Sequence, residues 1–261
     1  MYILFDIGGT KTRVGISKDH HQVTDYTSFE TPHLYNLHPL ISNIEKLAWD
    51  NEIEAIAGGI AGPLNQERDK LANSPQLPDW IDKPIQADLK EHFKVPVFLE
   101  NDAALAGLGE ANFGAGKGYK IVAYLTISTG VGGVKIVDQK IDQNVYGFEP
   151  GQMIISDGTL ISLVSGMALE KTYHQKGEDI KDPQVWDKVA RYLAEGLNNT
   201  ILDWSPQVII LGGSIIKSVN LAKVENYLKQ NLTIFKDLPE IKLALLGDQS
   251  GLYGAMAYLN Q

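Results

Sequence analysis

The stretch Asp6-Ile7-Gly8-Gly9-Thr10-Lys11 sets a carboxylate, two glycines, a hydroxyl and an ammonium between two runs of alternating apolar residues, 2–7 and 12–17. Glycines leave the backbone bare, so a ligand can come within reach of main-chain N–H groups. A plain hairpin also accepts Gly-Gly in its turn, so this stretch alone decides nothing. A second stretch, Thr126-Ile127-Ser128-Thr129-Gly130-Val131-Gly132-Gly133, holds more hydroxyls and glycines than a hairpin needs. Two such turns on opposite sides of a cleft can grip a polyphosphate through N–H groups and hydroxyls. Neither is a P-loop, since G-x-x-x-x-G-K-S/T is absent.

Two further stretches admit both a structural and a chemical reading. Leu211-Gly212-Gly213-Ser214 ends the apolar run that starts at Val208. It is a strand end with a turn, or a flat glycine face against which a nucleoside can lie. Glu100-Asn101-Asp102-Ala103 lies between an apolar run and an Ala-rich segment. Asn and Asp are favoured helix N-caps. A carboxylate at that place, facing a phosphate-holding cleft, is also where a general base for a hydroxyl nucleophile belongs.

These residues need elements to hold them. The spacing of Leu40, Ile41, Ile44, Leu47 and Ala48 predicts a helix over 39–51. "IEAIAGGIAGP" reads as a buried strand that runs into a Gly/Pro loop, and residues 64–86 are loop-rich. "PVFLENDAALAGLGEANFGAGKG" reads as strand, turn and helix, and "KIVAYLTISTGVGGVKIVDQKI" as a second strand–Gly turn–strand unit. Helices are expected near 159–176 and 184–203, a buried strand ends at Gly212, and "GLYGAMAYLNQ" closes the chain as a helix. Two Gly-turn hairpins, each followed by mixed material, predict two related α/β halves. The glycines at 114, 116 and 118 suggest a division into residues 1–115 and 116–249, with the helix at about 250–261 packing back onto the first.

Composition narrows the chemistry. The chain has 261 residues, 44% hydrophobic and 21% charged, with a net charge of −9. That charge argues against a nucleic-acid surface, which needs a basic stripe. It leaves a phosphate ligand open, because backbone N–H groups and Mg²⁺ hold polyphosphate without many lysines. There is no cysteine, so disulfides, Cys-ligated zinc and thiol catalysis are all excluded. No apolar run reaches the ~20 residues of a membrane span, and no signal peptide is visible. A cytoplasmic protein with no membrane partner is expected.

In this order the motifs resemble the ROK family of sugar kinases, within the actin-like ATPase superfamily. "DIGGTKTRVG" is similar to the first phosphate motif, "TISTGVGG" to the second (Ser128 stands where glycine is commoner), and "VIILGGSI" to the adenosine motif. "ENDAALAGLGE" and "GLYGAMAYL" resemble the two connecting helices at the interdomain hinge, and "GGIAGPLN…ANSPQLPDW" the loops beside the sugar. The resemblance implies two actin-like (ribonuclease H-like) α/β domains around a cleft. It implies ATP-dependent phosphorylation of a hexose or N-acetylhexosamine, with ATP and Mg²⁺ as cofactors and a homodimer as the assembly. Asp6 would face Mg²⁺ through water. Gly8, Gly9, Thr10, Lys11, Thr129, Gly130, Gly132, Gly212 and Gly213 would bind ATP. Asp102 would be the catalytic base, and Gly62, Asn73, Asn101, Asp102, Glu149 and Gln152 would meet the sugar.

The chain also departs from that pattern. Glu149, Gly151, Ser165 and Gly166 align, but Gln152 stands in place of a histidine and Ile161 in place of a sugar-binding glutamate. The family's Cys-rich zinc loop is absent, and the six histidines show no metal-ligand spacing, so no zinc site is expected. Gln152 still makes hydrogen bonds and Ile161 cannot, which predicts a weaker or broader sugar preference. Two other readings stay open: a non-catalytic sugar or nucleotide sensor, and an actin-like kinase for a non-sugar acceptor. The family's repressors carry an N-terminal DNA-binding segment; with the first motif at residue 6, none is expected here.

Overall fold

The computed structural model describes all 261 residues. Tyr2–Ile7 (β1) and Lys11–Ser17 (β2) pair antiparallel around the Gly8-Gly9 turn, with Asp6 opposite Arg13. Asp25–Glu30 (β3) joins β2 antiparallel as an edge strand. The helix His38–Ala48 (α1) begins with a proline in its first turn and crosses over to Ala55–Ile60 (β4), parallel to β1. Every residue of β4 is buried, which is why its sequence shows no alternation. Helix Ile85–Phe93 (α2) leads to Val97–Asn101 (β5), parallel to β4, and the chain enters Asp102–Phe113 (α3) without a loop.

The second half repeats the first. Ile121–Ile127 (β6), Val131–Val137 (β7) and Lys140–Ile141 (β8) form an antiparallel meander. A small hairpin follows, Ile154–Ile155 (β9) with Gly158–Thr159 (β10). Three helices come next: Leu160–Val164 (α4), Gly166–Tyr173 (α5) and Pro183–Trp204 (α6). Val208–Gly212 (β11) lies parallel to β6, and after Leu221–Asn231 (α7), Glu240–Leu243 (β12) lies parallel to β11. Ser250–Tyr258 (α8) ends the chain. The sheet orders are β3-β2-β1-β4-β5 and β12-β11-β6-β7-β8. Each is a meander with two parallel strands added beside its first strand, so the expected pair of α/β halves is present.

Helices α3 and α8 lie between the two sheets. Leu105, Leu108, Leu252 and Met256 pack there with Leu4 and Ala57 of one sheet and Tyr124, Val134 and Ile210 of the other. Each such buried side chain contributes roughly 1.5–3 kcal/mol. The helices approach so closely that a Cβ on Gly254 would fall 1.8 Å from the Leu105 carbonyl oxygen. Only glycine fits at that crossing. Separate cores back each sheet, one under α1 and α2 and one under α4 to α7.

The helix expected over 159–176 is two helices. The break falls at Ser165, whose Oγ accepts the Ala168 N–H at 3.1 Å and caps α5. The elements β3, α2, α7 and β12 carry weaker patterns. Strands β3 and β12 lie at sheet edges with mostly exposed or half-buried residues, so they lack a continuous apolar signal. No helix is long and apolar enough to cross a membrane.

Candidate active site

The first glycine turn leaves two donors unused. Gly8 N–H donates to the Lys11 carbonyl at 3.0 Å and closes the turn, while the N–H groups of Gly9 and Thr10 have no acceptor in the protein. Thr31 braces the turn from behind: its Oγ1 donates to the Gly8 carbonyl at 2.7 Å and its N–H to the Thr10 carbonyl at 3.0 Å. Thr10 and Lys11 are exposed at the lip.

The second turn matches it. Ser128 N–H donates to the Gly130 carbonyl at 2.9 Å, and the N–H groups of Thr129 and Gly130 are unused. Gly166 and Met167, at the start of α5, donate to the Ser128 and Thr129 carbonyls at 2.7 and 3.2 Å. One side chain spans the two turns. A Cβ on Gly9 would fall 2.8 Å from Gln76 Oε1, and one on Gly130 3.5 Å from Gln76 Nε2.

Asp102 opens α3. Asn101 caps that helix, its Oδ1 accepting the Ala104 N–H at 2.9 Å and its Nδ2 donating to the Gly62 carbonyl at 2.9 Å. One N–H and one lone pair of the Asn101 amide remain. Gly62 has φ of 130°, and a Cβ there would stand 2.4 Å from the Asn73 carbonyl oxygen. Asp102 Oδ1 accepts the Ala103 N–H at 2.8 Å. A Cβ on Gly132 would lie 2.8 Å from the Ala103 Cβ. The start of α3 and the strand leaving the second turn are therefore in contact across the two halves.

The electrostatics of this cleft are acidic. Burial, then the Asp102 charge, pushes Asp6 up to about 7, against the lowering effect of Arg13. Arg13 pairs with Asp6 at 3.5 Å and with Asp248 at 3.3 Å. Burial pushes Asp102 up to about 6. Glu149 has an exposed side chain yet is hemmed in enough that desolvation and the Asp102 charge raise it too. Partly buried carboxylates beside unused N–H donors suit a Mg²⁺-polyphosphate, in which one carboxylate and phosphate oxygens share the cation.

Next to Asp102 opens a cleft lined by Asn101, Glu149, Arg68, Asn144, Tyr146 and Phe148 among others. Asn101 and Glu149 meet in it. Asn73 and Gln152 are exposed and do not line it. Gly212 and Gly213 are closed off by packing: a Cβ on Gly212 would stand 2.6 Å from the Tyr124 hydroxyl, and one on Gly213 2.2 Å from the Ile127 carbonyl. No three His, Asp or Glu side chains converge on a common metal position.

Comparison with known proteins follows the same lines. Residues 2–261 match the sequence profile of the ROK family. The chain belongs to the ROK family. A ROK hexokinase from Thermus thermophilus superposes with a TM-score of 0.87 at 29% identity, over 99% of this chain and 98% of that one. A glucokinase from Streptomyces coelicolor is 26% identical over 96% of this chain and 94% of its own length. The fold is shared with a ROK glucokinase from Streptomyces griseus solved with glucose and AMPPNP, with a TM-score of 0.83 at 23% identity over 98% of each chain.

Within this ROK fold Arg68 lies outside every motif, and Gln76 lies in ANSPQLPDW without a role that the resemblance assigns. Gln76 and Arg68 lie in the loop-rich segment between β4 and α2. Their places are set by contacts to Gly130 and Asn144 in the other half, which no local spacing reveals.

Proposed function

We propose that this ROK protein is an ATP-dependent sugar kinase that phosphorylates a hydroxyl of a hexose or N-acetylhexosamine. The observation that carries the reading is the contact between the start of α3, where Asp102 sits, and the strand leaving the second glycine turn. It sets a carboxylate of raised pKa beside backbone donors that have no protein partner. Sugar kinases are also what the relatives named above are.

In this reading the N–H groups of Gly9, Thr10, Thr129 and Gly130, with the hydroxyls of Thr10 and Thr129, receive the phosphate oxygens. Lys11 adds positive charge at the lip. Asp6 would hold Mg²⁺ through water, and Mg²⁺ when bound neutralises charge on the phosphates. Gly8, Gly132, Gly212 and Gly213 shape the nucleotide side by leaving the backbone bare or by letting elements pack closely. Asn101 and Glu149 orient the sugar, with Gly62 behind Asn101 and with Gln152 and Asn73 at the edge. Asp102 takes the proton from the attacking hydroxyl. Most of the rate then comes from positioning and charge neutralisation. We take residues 1–115 with α8 as one lobe and 116–249 as the other, closing on the substrates to exclude water.

The test is sugar-dependent ADP release from Mg²⁺-ATP over a panel of hexoses, N-acetylhexosamines and non-sugar alcohols. Release with at least one sugar well above the sugar-free rate is expected. Nucleotide and sugar binding without turnover on any of the panel would overturn the reading.

A further inference from the structure

We propose that Arg68 is a positioning residue for the acceptor: it clasps the two halves across the cleft and fixes the spacing between Asn101 and Glu149. The inference rests on the reading that those two side chains receive sugar hydroxyls.

Arg68 is held ready by its own loop. Asn65 Oδ1 accepts the N–H groups of Asp69 and Lys70, both at 3.1 Å, and Arg68 N–H donates to the Asn65 carbonyl at 3.0 Å. Arg68 itself has a φ of 55°, in the left-handed region that side chains seldom adopt. From there its guanidinium forks. Nη1 donates to Glu100 Oε2, and Nη2 donates to Asn144 Oδ1 at 2.7 Å.

Each arm ends on a residue that sets one sugar contact. Glu100 is buried, and its other oxygen accepts the Asn101 N–H at 2.9 Å. The carboxylate therefore links Arg68 directly to the backbone of the N-cap that points Asn101 into the cleft. Asn144 organises the strap that runs from β8 to Glu149. Its Oδ1 also accepts the Gly147 N–H at 2.8 Å, and its Nδ2 donates to the Asp142 carbonyl at 2.8 Å. The strap has no regular structure, and Val145 and Tyr146 are 61% and 73% exposed. With so little packing, its shape depends on polar ties such as these.

A planar fork with several donors in fixed directions can hold both partners at once. A lysine ammonium offers a point charge on a flexible stem, so it does not reproduce this geometry. The ion pair with Glu100 leaves the clasp nearly neutral, and its function is geometric.

The experiment uses the full chain and the sugar the wild type phosphorylates best. Arg68→Ala, Arg68→Lys and Asn144→Leu should each raise KM for that sugar by roughly 10-fold or more, the scale for losing a hydrogen bond to a charged group. KM for ATP should stay within about twofold, since the clasp is off the nucleotide turns. Asn144→Asp keeps an oxygen for both donors and loses only the tie to the Asp142 carbonyl, so its sugar KM should fall between wild type and Asn144→Leu. The Arg68→Ala/Asn144→Leu double variant should be less than additive, because both single variants break the Arg68–Asn144 contact. Amides of residues 142–148 should exchange faster with deuterium in all the clasp-breaking variants. Arg68→Ala strands a buried carboxylate, so Asn144→Leu, which leaves the Arg68–Glu100 pair intact, carries the test if Arg68→Ala does not fold. An unchanged sugar KM, an equal rise in both KM values, or additive effects would overturn the proposal. Should the wild type phosphorylate no sugar, the kinase reading falls by itself, and unchanged exchange across the strap would still dispose of the clasp.

Discussion

Asp6 lies near the end of β1 and Asp102 opens α3, yet the two share one electrostatic environment. The charge on Asp102 helps lift Asp6 to about 7, and burial lifts Asp102 to about 6. Arg13 offsets the rise at Asp6, and the Ala103 N–H offsets that at Asp102. The fold holds two carboxylates where neither gains by being ionised. That is the usual cost of a prearranged site.

Replacing Asp102 by Asn keeps the size and the acceptor for the Ala103 N–H but removes the base. We expect kcat to fall by at least ~10², the low end for loss of a general base. Nucleotide affinity, measured by calorimetry, should be largely kept. Turnover near the wild-type rate would remove Asp102 from the role.

The same pair predicts two pH dependences. A base with an apparent pKa of about 6 must be ionised to act, so kcat/KM should fall as pH drops through 6. For stability the sign is opposite. The native state binds these protons more tightly than the unfolded chain, whose carboxyls have a reference value of 3.8. The stability they contribute is full below 3.8 and is lost as pH rises through 6 and 7. Asp102→Asn should therefore be more stable than wild type at pH 8, on the order of 1–3 kcal/mol from a shift of about two pKa units. The gap should close toward pH 4. Thermal unfolding of both proteins across that range decides it; a gap that widens on acidification would contradict the assignment.

Two glycines of the nucleotide side should behave differently. A Cβ on Gly130 meets only Gln76 Nε2 at 3.5 Å and Ile161 Cδ1 at 3.7 Å, which is ordinary contact. Gly130→Val should fold and bind ATP more weakly, because the added methyls stand where phosphate must approach. A Cβ on Gly212 collides with the buried Tyr124. Gly212→Val should lose stability first, seen as a lowered Tm with or without ATP. Unchanged ATP affinity in a folded Gly130→Val protein would count against the placement of the phosphates.

That contrast shows what was legible in the sequence. Glycine-rich turns between alternating runs announce themselves by residue type, so both turns and the strands around them were readable. Which way a missing side chain faces is a tertiary fact. Nothing local distinguishes Gly130, open to the cleft, from Gly212, packed on Tyr124. The apolar spacing of 159–176 runs on through Ser165, and the break there is imposed by the bonds from Gly166 and Met167 to the second turn. Arg68 lies 76 residues from Asn144 in the chain, so their meeting could be found only in the folded molecule.

In the proposed reading Glu149 is the carboxylate that the second half brings to the acceptor cleft, and Ile161 offers no hydrogen bond to replace it. Ile161 packs against Gly130 and Gly151 and against the core under α4 to α7. Glu149→Ala should raise KM for sugar about 10- to 100-fold, as expected for one hydrogen bond to a charged group, and leave KM for ATP nearly unchanged. Sugar KM at the wild-type value would show that recognition lies elsewhere.

The resemblance to the ROK family would place a zinc loop between Gln152 and Gly158. Here the chain folds that segment as the β9–β10 hairpin, with Ile154 opposite Thr159 and Ile155 opposite Gly158. Side chains of α6 hold that hairpin. The Tyr192 hydroxyl donates to Asp157 Oδ2 at 2.5 Å, Arg191 pairs with the same oxygen at 3.3 Å, and Ser156 N–H donates to Glu195 Oε2 at 3.0 Å. The bond from Tyr192, chiefly, holds the Asp157 carboxyl below its ordinary range. These ties fasten the hairpin to a long, well-packed helix, and the chain has no cysteine. A zinc-selective chelator, with Mg²⁺ in excess, should therefore leave activity and Tm unchanged. Breaking the tie with Tyr192→Phe together with Arg191→Ala should raise amide exchange at 154–159 and weaken sugar binding through the neighbouring Gln152 and Glu149. Stoichiometric zinc in the purified protein, or inactivation by the chelator, would show that a metal holds this segment after all.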